Sequence, residues 1–147
     1  MKPGRREPYR FVMPVKVRFN ETDLQGHVNF GHYLFYFDAA LIEYLAAIGY
    51  DFQALLADGV DLLYAESHCN YHSPAHWPEV LNVHARIGHL GRRSIRFEFD
   101  IRALKDGRQV ATGHIVAVTA ERGTWAERSV PENLRQAAAE YEAARSG

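Results

Sequence analysis

The sequence predicts an α+β domain in which five antiparallel strands curl around one long central helix. Three observations predict it. Residues 31–48 are apolar on almost every helical face, residues 62–119 carry runs of period-two alternation, and an Asp-Gly pair sits between the last two runs. Alternating strands have one apolar face to bury, and a helix apolar nearly all round is expected to be buried nearly all round. Curling the sheet over the helix satisfies both requirements.

The first strand is expected over Val12–Phe19, where Val15, Val17 and Phe19 alternate with Lys16 and Arg18. Residues 20–29 are polar with a glycine and read as a loop. The helix follows over Gly31–Ile48. Leu34, Phe37, Leu41, Tyr44, Leu45 and Ile48 share one face, and Phe35, Tyr36, Ala39, Ala40, Ala46 and Ala47 make the others apolar too. Such a rod is roughly 27 Å long, and Gly49 is a plausible stop. A weaker helix is expected over Phe52–Ala57. Strands are expected over Leu62–Tyr71, Leu81–Ile87, Ser94–Ala103 and Val110–Thr119, the last two joined by a hairpin at Asp106-Gly107. In the third of these, Ile95, Phe97, Phe99, Ile101 and Ala103 face one way. A terminal helix is expected over Pro131–Ala144, with Pro131 near its first turn. The chain is thus read as an N-terminal extension (1–11), one domain (12–120) and a tail carrying a short helix (121–147). A sheet covered on one face by a single helix leaves an open edge strand, so dimerisation is expected.

Composition narrows the function classes. The 147 residues are 47% hydrophobic and 24% charged, with a formal net charge of -1. That composition is globular, and the charge balance argues against a dedicated nucleic-acid binder. The single cysteine, Cys69, permits neither an intramolecular disulfide nor a cysteine-only zinc site. Lys2, Arg5, Arg6 and Arg10 are followed by no apolar run, so the N-terminus does not read as a signal peptide. The apolar stretch Leu34–Ile48 is broken by Asp38 and Glu43 and is too short and too charged to span a bilayer. A cytoplasmic protein is the default expectation.

The segment from Arg18 to Tyr33 carries the chemistry. Asp23 lies in a loop just before the helix, and aspartate is ordinarily an anion at neutral pH. The helix start offers backbone N–H groups without internal partners, which favour negative charge on a ligand or a developing oxyanion. A carboxylate beside such donors is the minimum equipment for acyl-transfer hydrolysis. Gly26 and Gly31 would let backbone approach a ligand. Taken alone, Thr22-Asp23 ahead of a helix is also an ordinary capping pattern.

The pattern Val17-Arg18-Phe19-x-x-Thr22-Asp23-x-x-Gly26-His27-Val28-Asn29-x-x-x-Tyr33, followed by Tyr36-Phe37-Asp38-Ala39-Ala40 and Glu43, resembles the 4-hydroxybenzoyl-CoA thioesterase family. The resemblance continues through Asn70-Tyr71-His72-Ser73-Pro74-Ala75 and Gly91-Arg92-Arg93-Ser94, covering about residues 12–120. It implies the hotdog fold and an acyl-CoA thioesterase, a class that includes the enzymes found beside Tol–Pal genes. By this resemblance Asp23 is the catalytic carboxylate, as nucleophile or general base. The backbone N–H of Phe30, with Gly31 as a second candidate, polarises the thioester carbonyl. Phe30 stands where an asparagine is commoner, which keeps the donor and reshapes the acyl pocket.

His27 either assists catalysis or holds the loop by hydrogen bonds, the structural role being favoured. Asp38 and Glu43 need partners if their helix is buried; pairing with arginines at a dimer interface is favoured over contact with the acyl group. Tyr33 is read as packing. Arg86, Arg92, Arg93, Arg96, Arg102, Lys105 and Arg108 outnumber the acids in their stretch, suggesting either a solvated strand face or a seat for coenzyme A phosphates. By resemblance Arg92, Arg93 and Ser94 are the candidates for that seat. His68, His72 and His76 are four apart but fall in a strand interrupted by Ser73-Pro74, so no metal is expected. No cofactor is expected beyond the coenzyme A of the substrate itself. The expected partners are an acyl-CoA substrate and further copies of the chain, as a homodimer or homotetramer, with no nucleic acid and no membrane span. A dehydratase of the same fold and a non-catalytic acyl-CoA binding module are the alternatives.

Overall fold

The computed structural model describes residues 8–143. The chain runs β1 (Phe11–Lys16), a 3-10 turn (Phe19–Glu21), α1 (His32–Ala47), α2 (Phe52–Ala57), β2 (Val60–Tyr71), β3 (Val80–Leu90), β4 (Ser94–Ala103), β5 (Gln109–Glu121) and α3 (Glu132–Ala143). The five strands form one sheet in the order β1-β3-β4-β5-β2, and every neighbouring pair is antiparallel. The α+β class and the five-stranded antiparallel sheet are as expected. The elements include three helices, and no helix among the described residues is long and apolar enough to cross a membrane.

The period-two pattern of β4 does what its chemistry requires. Ile95, Phe97, Phe99, Ile101 and Ala103 are all buried, while Arg96, Glu98 and Arg102 keep partial exposure. Leu81, Val83 and Ala85 of β3 and Ala111, Ile115 and Ala117 of β5 extend the same apolar surface. Against it α1 lays Tyr33, Tyr36, Phe37, Ala40, Leu41, Tyr44 and Leu45. The Phe37 ring stacks on Phe99 with centroids 4.6 Å apart.

Two expectations are corrected. Helix α1 is not buried nearly all round: Phe35 is 67% and Ile42 48% exposed, with Ala39 and Glu43 on the same uncovered side. The sheet of one chain reaches round only one side of the rod. Within the chain, Asp38 accepts a hydrogen bond from the Tyr64 hydroxyl of β2 at 2.5 Å. The first strand ends at Lys16, because its partner β3 begins at Val80. Val17 then bonds Glu79 O at 2.9 Å and is fully buried, whereas Phe19 enters the 3-10 turn and is 73% exposed.

The C-terminal segment is tied to the sheet. Val130 N–H donates to Arg92 O at 2.8 Å, and the Arg135 guanidinium donates to Gly91 O. Leu134 and Ala138 of α3 are buried, and Tyr44 of α1 donates to Glu142 at 2.6 Å. Ala144, the expected last residue of the terminal helix, and most of the expected N-terminal extension lie outside the described residues.

Candidate functional site

The loop before α1 is built from its own short polar side chains. Asp23 Oδ1 accepts from Gln25 N at 2.9 Å and His27 N at 3.3 Å, an Asx turn closed by Gly26 at φ 82°. Asp23 N–H donates to His27 O at 2.8 Å, so the loop returns on itself. Its outgoing arm docks on the β2–β3 connection, where Val28 N–H donates to Ala75 O at 2.9 Å and the His27 ring meets His76 edge-on at 4.9 Å.

Glu21, which sequence reasoning passed over, fixes the incoming arm. One carboxylate oxygen accepts from Arg18 N–H and from the Tyr36 hydroxyl of α1, both at 2.8 Å. Burial and that carboxylate hold the Tyr36 phenol well above its usual range. The available signal was an acidic residue two before Asp23 with a tyrosine on the helix beyond, which is too generic to read without coordinates.

Asp23 is exposed and lines a cleft of about 360 Å³ with His27, Phe30, Tyr33, Tyr71 and His72. Its Oδ2 has no hydrogen-bond donor among the described residues, so one carboxylate oxygen holds the loop while the other is unengaged. At the helix start the two candidate donors differ. Gly31 N–H already donates to Asn29 Oδ1 at 3.0 Å. Phe30 N–H has no acceptor among the described residues, and Phe30 lines the same cleft. Tyr33 is buried, and burial pushes its phenol up to about 12, so it is a neutral wall of the cleft. Its ring lies 5.6 Å from that of Tyr71, whose hydroxyl donates to Phe30 O at 3.2 Å.

Glu79 supports the cleft from below. Its carboxylate accepts from Arg108 at 2.7 Å and from His76 N–H at 2.9 Å, and the same guanidinium group holds Pro74 O at 2.9 Å. The Arg108 bond outweighs burial and lowers the Glu79 carboxyl from 4.5 to about 2. A carboxyl depressed in the folded state stabilises the fold above its unfolded value, and that contribution is lost as pH falls through the folded one. Stability, read as the urea midpoint, is therefore expected to fall between pH 4.5 and about 2. Glu79→Gln should cost about 1–3 kcal/mol at neutral pH and flatten that acid limb. An unchanged limb in the variant would remove Glu79 from the account.

The structure does not bring the remaining candidates to Asp23 within one chain. Ser73 and Arg108 tie the β4–β5 hairpin to the connection beneath the Asp23 loop. Arg92, Arg93 and Ser94 sit at the other end of β4, roughly 30 Å away along a strand of this length. Arg93 pairs with Glu127 at 2.9 Å. The basic stretch is largely neutralised: Arg86 and Arg96 meet Glu98, Arg102 meets Asp100, and Lys105 and Arg108 meet Glu79. Only Arg92 of the seven forms no ion pair among the described residues. Antiparallel pairing sets acids opposite the bases, as in Arg86↔Glu98, which a count along the sequence cannot see. The three spaced histidines diverge, with His68 meeting Asn70, His72 meeting Thr112 and His76 meeting Glu79.

The model of the thioesterase-like superfamily matches residues 17–138, from the end of the first strand into α3. The chain belongs to the thioesterase-like superfamily. It is 29% identical over 119 residues to a protein of Aquifex aeolicus (strain VF5) that carries the provisional name of esterase, covering 76% of this chain and 93% of that one. It is 28% identical over 87 residues to the acyl-CoA thioester hydrolase YbgC of Escherichia coli O6:H1, covering 59% of this chain and 65% of that one. Among solved structures, the PA5185 protein of Pseudomonas aeruginosa strain PAO1 superposes with a TM-score of 0.80 at 32% identity, covering 92% of this chain and 93% of that chain.

Proposed function

We propose that this superfamily member hydrolyses an acyl-CoA thioester to the free acid and coenzyme A, with the helix-wrapped hotdog arrangement as its scaffold. The observation that carries the reading is the pairing, in one cleft, of an Asp23 carboxylate oxygen with Phe30, where among the described residues the oxygen has no donor and the backbone N–H no acceptor. The thioester carbonyl oxygen accepts from Phe30 N–H, which stabilises the oxyanion that develops there. As general base, Asp23 takes a proton from water, the water oxygen bonds the carbonyl carbon, and collapse breaks the C–S bond. The thiolate then takes the proton back from the carboxyl. As nucleophile, Asp23 bonds the carbon first and the C–S bond breaks, releasing the thiolate; water then cleaves the mixed anhydride to the free acid, restores the Asp23 carboxylate and leaves its proton to the thiolate. His27, held through its backbone and against His76, orients the loop. The engaged Gly31 amide takes no part.

A homodimer built on the β2 edge and the uncovered side of α1 belongs to the same proposal. Support lies in the exposed outer positions of β2 and in Phe35 and Ile42 beside them. A panel of short aliphatic, long aliphatic and aromatic acyl-CoAs tests the reading through thiol release. Release with uptake of water is the expected result. An absorbance change without thiol release would indicate a lyase, and binding without turnover a sensor; either overturns the proposal.

A further inference from the structure

We infer that the groove between β1 and α1 binds the adenine-nucleotide end of the thioester substrate, an inference that rests on the hydrolase reading above. The groove measures about 690 Å³, against about 360 Å³ for the Asp23 cleft. The polypeptide around Glu21 lies between the two.

Two cations line it without carboxylate partners. Lys16 and Arg18 form no ion pair among the described residues, in contrast to six of the seven bases on β3, β4 and the adjoining turns. Two residues apart in extended backbone, they share one face of the chain. Glu21, the acid that lines the groove, is engaged by the Tyr36 hydroxyl and the Arg18 amide. His32 adds a further donor at the first turn of α1.

The same groove presents flat aromatic surface. Phe19 and Trp77 meet edge to face at 5.8 Å, yet remain 73% and 54% exposed. Unpaired cations beside exposed rings fit a ligand that is anionic at one end and flat and aromatic at the other, because phosphates take the cations and a base stacks on the rings. A nucleoside phosphate has that chemistry. Reach agrees with it: Asp23 lies five positions after Arg18, which limits their Cα separation to roughly 18 Å. The Arg92–Arg93 turn, at the far end of β4, has no such proximity within the chain.

The test uses the full chain carrying Trp125→Phe, which leaves Trp77 as the only tryptophan. Adenosine 3′,5′-bisphosphate is expected to give a saturable change in Trp77 emission that weakens with added salt. Lys16→Gln with Arg18→Gln should weaken that titration about tenfold or more and lower, by a similar factor, the ratio of kcat/KM for acyl-CoA over that for the matching acyl-pantetheine, which lacks the nucleotide. An absent emission response, or an unchanged ratio in a variant that still turns over acyl-pantetheine, overturns the inference. Hydrolysis of acyl-CoA without nucleotide binding would sink the groove and leave the hydrolase reading intact. Saturable nucleotide binding in a chain that hydrolyses no thioester would do the reverse.

Discussion

Asp23→Asn is expected to lower kcat for the best acyl-CoA by about 10²–10⁴ while KM moves only a few-fold. Asparagine is the informative replacement because of how the loop is built. Asp23 Oδ1 accepts from the Gln25 and His27 amides, and an asparagine Oδ1 accepts the same two bonds. The loop, its bond to Ala75 and its anchor at Glu21 therefore survive. What disappears is the charge and the basicity of Oδ2, the oxygen without a donor among the described residues. An effect on kcat with an unchanged thermal melt then reports chemistry rather than unfolding. Steady-state turnover within about threefold of wild type would mean that Asp23 neither attacks the carbonyl nor activates water.

The fold was legible in the sequence wherever one periodic pattern met one neighbour. The alternation of Ile95, Phe97, Phe99, Ile101 and Ala103 survives because β4 is flanked by paired strands on both sides, so its inner face has a single environment. The pattern misled where the neighbour ends. Phe19 continues the alternation of Val15 and Val17, but β3 offers no residue beyond Val80 to pair, and the chain turns. The rod Gly31–Ile48 was read to within a residue of each end of the observed helix, yet composition could not say that the sheet of one chain covers only half of it.

The site divided in the same way. Asp23, His27 and Phe30 lie on one loop, so local sequence sufficed to bring them together. Gly31 was separated from Phe30 by a hydrogen bond from its amide to Asn29, a side-chain choice that local sequence permits without requiring. Arg108 was grouped with its neighbours in sequence, whereas its partner Glu79 comes from the connection that leads into β3, far off along the chain. The charge of a segment is legible; the charge of a surface depends on what the topology sets beside it.

Phe37→Ala is expected to be the most damaging core substitution, because Phe37 sets a large ring of α1 against both β4 and β5. Its ring is fully buried and stacked on Phe99, with the planes only 8° apart. Beneath it lies Gly113 of β5, where a Cβ would run into the Phe37 ring and the His68 carbonyl oxygen of β2. The missing side chain on β5 lets the phenyl ring descend onto the sheet, so a large residue and an absent one are matched across the interface. Emptying that position costs about 3–5 kcal/mol in lost burial and residual cavity. For a chain of this size that corresponds to a fall in Tm of roughly 8–15 °C. Gly113→Ala tests the same fit from the other side. The oxygen it meets is backbone and cannot rotate away, so overpacking of about 1–3 kcal/mol is expected. Because α1 begins directly after the Asp23 loop and is bound to Glu21 through Tyr36, loosening this contact should also lower turnover at temperatures below the melt. A Phe37→Ala melt within about 3 °C of wild type would show that the helix is seated by its flanking tyrosines instead, and the loop geometry would then rest on Tyr36 and Tyr44 rather than on the stacked pair.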